Sequence, residues 1–210
     1  MPENWTLVME TSVPEATLAL AQGDTLVAEG KFTSERSQEV DLFGPLEEVL
    51  ANLPEGEKLS QIVVGTGPGS YNGARVGIAA AQAIGQVHDC SVAGLCSFEG
   101  VPGLSWAVGD ARRGAFFLMK IGGKPELIPP TELSVRLSNC EGRKGTFESA
   151  EKLSAPDHEI EEVTPTASGL LKAWLARSKE EQAAMSAVPA EAFYLRPPHI
   201  TVSKKKTPLT

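Results

Sequence analysis

Residues 7–29 read LVMETSVPEATLALAQGDTLVAE, and residues 104–128 read LSWAVGDARRGAFFLMKIGGKPELI. In each, an apolar run ends in an acid, a tight turn follows, a second apolar run begins, and a glycine turn leads into a third. The acid and the glycine are Glu10 and Gly23 in the first copy and Asp110 and Gly123 in the second, thirteen residues apart both times. The repeat predicts a duplicated α/β architecture, each half a meander followed by helices.

The rest of the chain fits around these copies. Residues 37–53 place Val40, Phe43, Leu46, Leu50 and Leu53 at near-helical spacing, with Pro45 in a first turn or a kink. QIVVG (61–65) and SVAGL (91–95) read as strands, with a helix from Ala74 to Val87 between them. The first half is therefore three strands, helix, strand, helix, strand. The loop-like SFEGVPGLSW (97–106) marks a boundary. We expect a first half over 1–100, a smaller second half over 101–200 and a tail over 201–210. Residues 166–177 form an amphipathic helix with a second after it, whereas the polar stretch 131–163 offers no strand that can be placed.

The stretch GTGPGSYNGARVGIAAAQAIG (65–85) raises a question of chemistry. A phosphate-cradling P-loop needs a lysine followed by Ser or Thr after its last glycine, and the dinucleotide fingerprint needs GxGxxG spacing; neither is present. What remains is a strand, a glycine turn and a helix N-terminus, which still aims amides and a partial positive charge at one spot. Gly67, Pro68, Gly69, Ser70, Asn72, Gly73 and Arg75 are thus either a structural turn or a vestigial anion site. Glu10 and Asp110 stand at equivalent strand ends. They either face one cleft as cation-binding carboxylates or cap their own turns, accepting from amides such as those of Ser12 and Arg112.

Composition sets limits. The 210 residues are 41% hydrophobic, enough to fill a core, and 19 Lys and Arg against 27 Asp and Glu leave a formal charge of -8. That balance disfavours a chain that grips phosphate backbones unaided. The basic run Lys204 to Lys206 reads as a solvated tail. Cys90, Cys96 and Cys140 lack CxxC spacing, and His88, His158 and His199 lack HxxxH or HExxH spacing, so no metal site is expected. The cysteines read as small hydrophobes in a reducing compartment. No stretch reaches the roughly 18 apolar residues of a membrane span, and we expect a soluble cytoplasmic protein.

These pieces together resemble one family. GPGSYNGARVG resembles the GPGSFTGxRxG segment of the TsaB (YeaZ) family, LVMETS its opening strand and Asp-Thr-Ser turn, DARRGAFFL its DARRGEVY segment, and AFYLRPP (192–198) its PxYLR tail. They occur in the family's order from residue 7 to 198. Glu10 stands for the family's Asp, Tyr71 and Asn72 for Phe and Thr, and Arg36 for a common His. The resemblance implies the actin-like, RNase H-like ASKHA fold: two halves, each a mixed five-stranded sheet flanked by helices, the second reduced. It also implies a non-catalytic subunit that binds and activates TsaD in making threonylcarbamoyladenosine beside the tRNA anticodon. Through TsaD it would meet the ATPase TsaE and, indirectly, tRNA; without TsaD it would form a homodimer. The implied docking surface lies on the two N-terminal helices, at Val40, Phe43, Leu50, Gly77, Ala80, Ala81 and Ile84, and small residues there could equally pack on the chain's own sheet. No cofactor is implied beyond weak binding of ATP and Mg. Two other readings stand beside this one: an ATP-dependent phosphotransferase using Asp110 and Glu10, and a homodimeric interaction protein with a diverged partner.

Overall fold

The fold is taken from a computed structural model, which describes residues 4–33, 42–153 and 155–195. The first half carries β1 (Trp5–Glu10), β2 (Glu15–Gln22), β3 (Thr25–Thr33), α1 (Phe43–Leu50), β4 (Leu59–Gly65), α2 (Tyr71–His88) and β5 (Ser91–Leu95). After a 3-10 turn at Ser97–Gly100 come β6 (Trp106–Asp110), β7 (Phe116–Lys120), β8 (Glu126–Ile128), α3 (Pro130–Ser138), β9 (Lys144–Thr146) and β10 (Glu161–Glu162). Helices α4 (Ala167–Leu175) and α5 (Lys179–Ser186) close the series.

The two sheets have one topology. Their strand orders are β3-β2-β1-β4-β5 and β8-β7-β6-β9-β10, so each strand has its counterpart five places on. In both, the central strand pairs antiparallel with its hairpin partner and parallel with the strand on its other side. This is the mixed five-stranded sheet expected twice over. Its second copy is reduced, β9 and β10 having only three and two residues. Short parallel strands without an alternating pattern carry no signal of their own, which is why 131–163 resisted reading.

Side-chain alternation divides the first sheet. Leu7, Met9, Leu18, Leu20, Ile62 and Val64 point to the side covered by α1 and α2. Val8, Ala19, Ala21, Val63, Ala93 and Leu95 point to the side covered by α4. Pro45 falls in the first turn of α1, where its missing N–H costs nothing. Residues 34–41, including Arg36 and Val40, lie outside the described residues, as do residues 196–210.

Helices α4 and α5, from residues 167–186, pack on the first sheet and not on the second. The Ala167 amide donates to Thr17 Oγ1 at 2.8 Å, and Arg177 pairs with Glu99. The alternating face of β1, β2, β4 and β5 would otherwise lie open to water, and the amphipathic face of α4 is what closes it.

Candidate functional site

A cleft of about 930 Å³ opens between the sheets at the C-terminal ends of β1 and β6. One wall is the β1–β2 turn with the glycine loop; the other is the β6–β7 turn with Phe117 and Phe147. Phe98 and Phe147 stack across its base, with ring centroids 3.7 Å apart.

The two strand-end acids do the same local job in different surroundings. Glu10 Oε1 accepts from the Ser12 amide at 2.8 Å and from Ser12 Oγ at 2.6 Å. Asp110 Oδ1 accepts from the Arg112 amide at 2.6 Å, and Oδ2 meets the Arg112 guanidinium at 3.4 Å. Each carboxyl therefore caps its own turn. Asp110 is half-buried and lines the cleft, whereas Glu10 is fully buried and does not. Glu10 is thus not a cleft carboxylate. Its longer side chain folds beneath the turn and lies against Gly65, where a Cβ would overlap the carboxyl group. Oε2 finds no hydrogen-bond partner among the described residues.

Burial pushes the Glu10 carboxyl above the usual range, against the opposing pull of hydrogen bonds from Ser12. A carboxyl raised in this way adds stability that is fully present below its unfolded value of about 4.3 and is lost as pH rises through its folded value. Glu10→Gln should match the natural protein in thermal stability at acidic pH and exceed it as pH climbs above the ordinary glutamate range. Melting curves from pH 4 to 8 check this; parallel curves for the two proteins would show that Glu10 does not titrate between folded and unfolded states.

The glycine loop is an internal joint. The Gly67 amide donates to Ser97 Oγ at 2.9 Å, the Ser70 amide to the Ser12 carbonyl at 2.6 Å, and the Gly73 amide to Ser70 Oγ at 3.2 Å. Three amides of the loop, those of Gly67, Ser70 and Gly73, are thus bonded to the chain itself. Side chains at Gly69 and Gly73 would overlap the carbonyls of Ser12 and Thr11. Pro68, Ser70 and Asn72 line the cleft, but Arg75 is not among its lining residues. Arg75 lies over the Tyr71 ring, 5.2 Å from its centroid, and Tyr71 packs tilted on Tyr194.

The docking stripe is largely turned inward. Gly77 is buried against the Thr11 side chain, and Ala81 is fully buried in the first core, so neither offers surface. Ala80, Ile84 and Leu50 are half-buried and packed against the same core. The small residues let α2 approach its own β1. What the helices show outward is Phe43, 74% exposed, with Val76 at 37% and Val87 at 77%.

Sequence reasoning missed three features. Ser97 joins the turn to the loop, its Oγ 2.9 Å from Ser12 Oγ. Arg112 and Arg113 both adopt left-handed backbone, φ 62 and 54, on the lip of the cleft. Tyr194 braces Tyr71 from the far end of the chain. The ARRG run after a strand-ending acid is the one such signal visible in sequence.

The cysteines are unpaired thiols: Cys140 is buried, Cys90 and Cys96 half-buried, and burial pushes Cys96 up to about 12. His88 accepts from the Leu59 amide, and His158 meets Ser134 Oγ at 2.9 Å. Among the described residues no group of three or more His, Cys, Asp or Glu is placed to hold a metal, and no helix is long and apolar enough to cross a membrane.

Comparisons with known proteins bear on this frame. The family model of TsaD, tRNA N6-adenosine threonylcarbamoyltransferase, matches residues 42–104. An uncharacterized protein of Mycobacterium leprae is 30% identical over 172 residues, covering 71% of this chain and 43% of that one. The tRNA threonylcarbamoyladenosine biosynthesis protein TsaB of Bacillus subtilis is 29% identical over 119 residues, 53% of this chain and 52% of that one. The chain spans about half the length of the sequence relatives it matches. YeaZ from Pseudomonas aeruginosa superposes with a TM-score of 0.68 at 16% identity, over 90% of this chain and 99% of that structure, a likeness of fold. With its duplicated sheets and its glycine joint, the chain has the fold of YeaZ and is similar in sequence to TsaB of Bacillus subtilis over about half its length.

Proposed function

We propose that this chain is a non-catalytic partner of TsaD in the threonylcarbamoyladenosine modification of tRNA, acting in the cytoplasm, with TsaE reached through TsaD and a homodimer formed when TsaD is absent. The observation that carries the reading is the outer surface of α1 and α2. These helices lie in the stretch matched by the TsaD family model, and they present Phe43 and Val87 to water. Two proteins sharing that stretch can pair through the same helices about a pseudo-twofold axis. The capped acids and the self-bonded glycine loop fit a scaffold better than a phosphotransferase.

Mixing the chain with TsaD of the same organism and measuring mass by size exclusion with light scattering tests this. The natural protein should form a heterodimer. Phe43→Glu and Val87→Glu, both at exposed positions, should weaken it about 30-fold or more, as expected for an apolar contact centre. A natural protein that ignores TsaD would overturn the role; unchanged binding by both variants would move the contact off these helices.

A further inference from the structure

The deficit of positive charge is not spread evenly. Residues 1–100 hold four Lys and Arg against fourteen Asp and Glu, while residues 101–210 hold fifteen against thirteen. The acidic balance that argues against gripping a polyanion therefore belongs to the first half. On the second sheet, Trp106 of β6 pairs in register with Lys120 of β7 on one side and Lys144 of β9 on the other. A lysine, a tryptophan and a lysine thus stand in a row across three neighbouring strands spaced about 4.8 Å apart.

The row borders a recess of about 290 Å³ at the end of the sheet away from Asp110 and the cleft. Trp106, Lys120, Lys124, Arg136 and Asn139 line it. Trp106 is half-buried and held by its Nε1, which donates to the Glu141 carbonyl at 3.0 Å. Arg136 pairs with Glu126, but Lys120, Lys124 and Lys144 form no ion pair among the described residues. The exposed Lys120 and Lys124 and the half-buried Lys144, beside a half-buried indole, suit a polymer that offers phosphates and planar bases together.

We infer that this recess is a contact site for single-stranded RNA, with Lys120, Lys124 and Lys144 on phosphates and a base on Trp106. The choice of RNA among polyanions rests on the proposed role in tRNA modification, and the site adds a direct contact to the indirect one expected there.

The full chain is titrated with a single-stranded RNA of about 12 nucleotides, within the usual range of site sizes. Anisotropy of labelled RNA reports affinity, and emission of the unmodified protein reports stacking, because Trp5 and Trp174 are buried and leave Trp106 as the accessible indole. Binding should quench emission and weaken with salt. Lys120→Gln with Lys144→Gln should flatten the slope of log affinity against log salt by about 1.4, at roughly 0.7 per phosphate contact. Trp106→Leu should abolish the quench and weaken binding roughly 10-fold while keeping the salt slope. Absence of saturable binding at low salt, an unchanged slope in the lysine variant, or heparin that binds and quenches equally well would each overturn the assignment. RNA binding lost with the TsaD heterodimer intact defeats this inference only; RNA binding kept by a chain that ignores TsaD defeats the proposed role.

Discussion

Alanine in place of Gly73 is expected to lower the stability of the fold by about 3 kcal/mol, the upper end of the range for overpacking. In an ordinary helix the same change would raise stability by about 1 kcal/mol. The sign reverses because α2 begins against the β1–β2 turn. A Cβ at Gly73 would overlap the Thr11 carbonyl oxygen, which is backbone and cannot swing aside. Nor can the helix retreat easily. Thr11 Oγ1 donates to the Gly73 carbonyl at 2.8 Å, the Ser70 amide is tied to the Ser12 carbonyl, and one turn on, Gly77 rests against the Thr11 side chain. Guanidinium unfolding of Gly73→Ala beside Ala83→Gly, on the solvent side of α2, separates the two effects. Both should unfold earlier, the first by far more; a Gly73→Ala midpoint at or above the natural one would mean that the joint is looser than its geometry.

That joint shows what the sequence could and could not convey. The failed phosphate motifs were visible in the spacing of Gly67, Gly69 and Gly73, and so was the alternative of a structural turn. The carbonyls of Thr11 and Ser12, against which Gly73 and Gly69 pack, come from a segment some sixty residues earlier, and no local pattern announces them. The duplicated meander was legible because its glycine turns and apolar runs are local, and the equal spacing from Glu10 to Gly23 and from Asp110 to Gly123 carried over into identical strand orders. The turn-capping of both acids was legible as one of two options. Which acid faces the cleft was not, because the extra methylene of Glu10 takes its carboxyl under the turn to Gly65, a partner known only once β1 and β4 are paired. The stripe of Gly77, Ala80, Ala81 and Ile84 was legible as a smooth face, but a smooth face serves a close sheet as well as a close partner. Only the register of α2 over Thr11 decides between them.

The packing of α4 was also hidden, since periodicity names the buried face of a helix and not the sheet that buries it. Trp174→Ala tests the assignment. Trp174 is 4% exposed and packs with Leu170 and Leu171 over Val8, Val63 and Leu95 of the first sheet. Its carbonyl accepts from Gln182 Nε2 at 2.8 Å, which ties α5 to the same surface. Truncating so large a buried side chain should cost about 4 kcal/mol. The form of the transition is more telling than its midpoint. If the first sheet depends on α4 for its covered face, the whole chain should unfold in one step, followed equally by circular dichroism and by hydrogen exchange in the second sheet, and Trp174→Ala should shift that step as a unit. Two steps, with the variant moving neither or only the second, would show that the first half keeps its fold without α4. The single step is expected because the chain leaves the first sheet at Leu95, builds the second, and returns through α4 to finish the first. Gly169 packs so closely on the Gly100 carbonyl that a side chain there would overlap it. The cleft between β1 and β6 then owes its shape to a helix, α4, that begins only at Ala167, well beyond the turns of both walls.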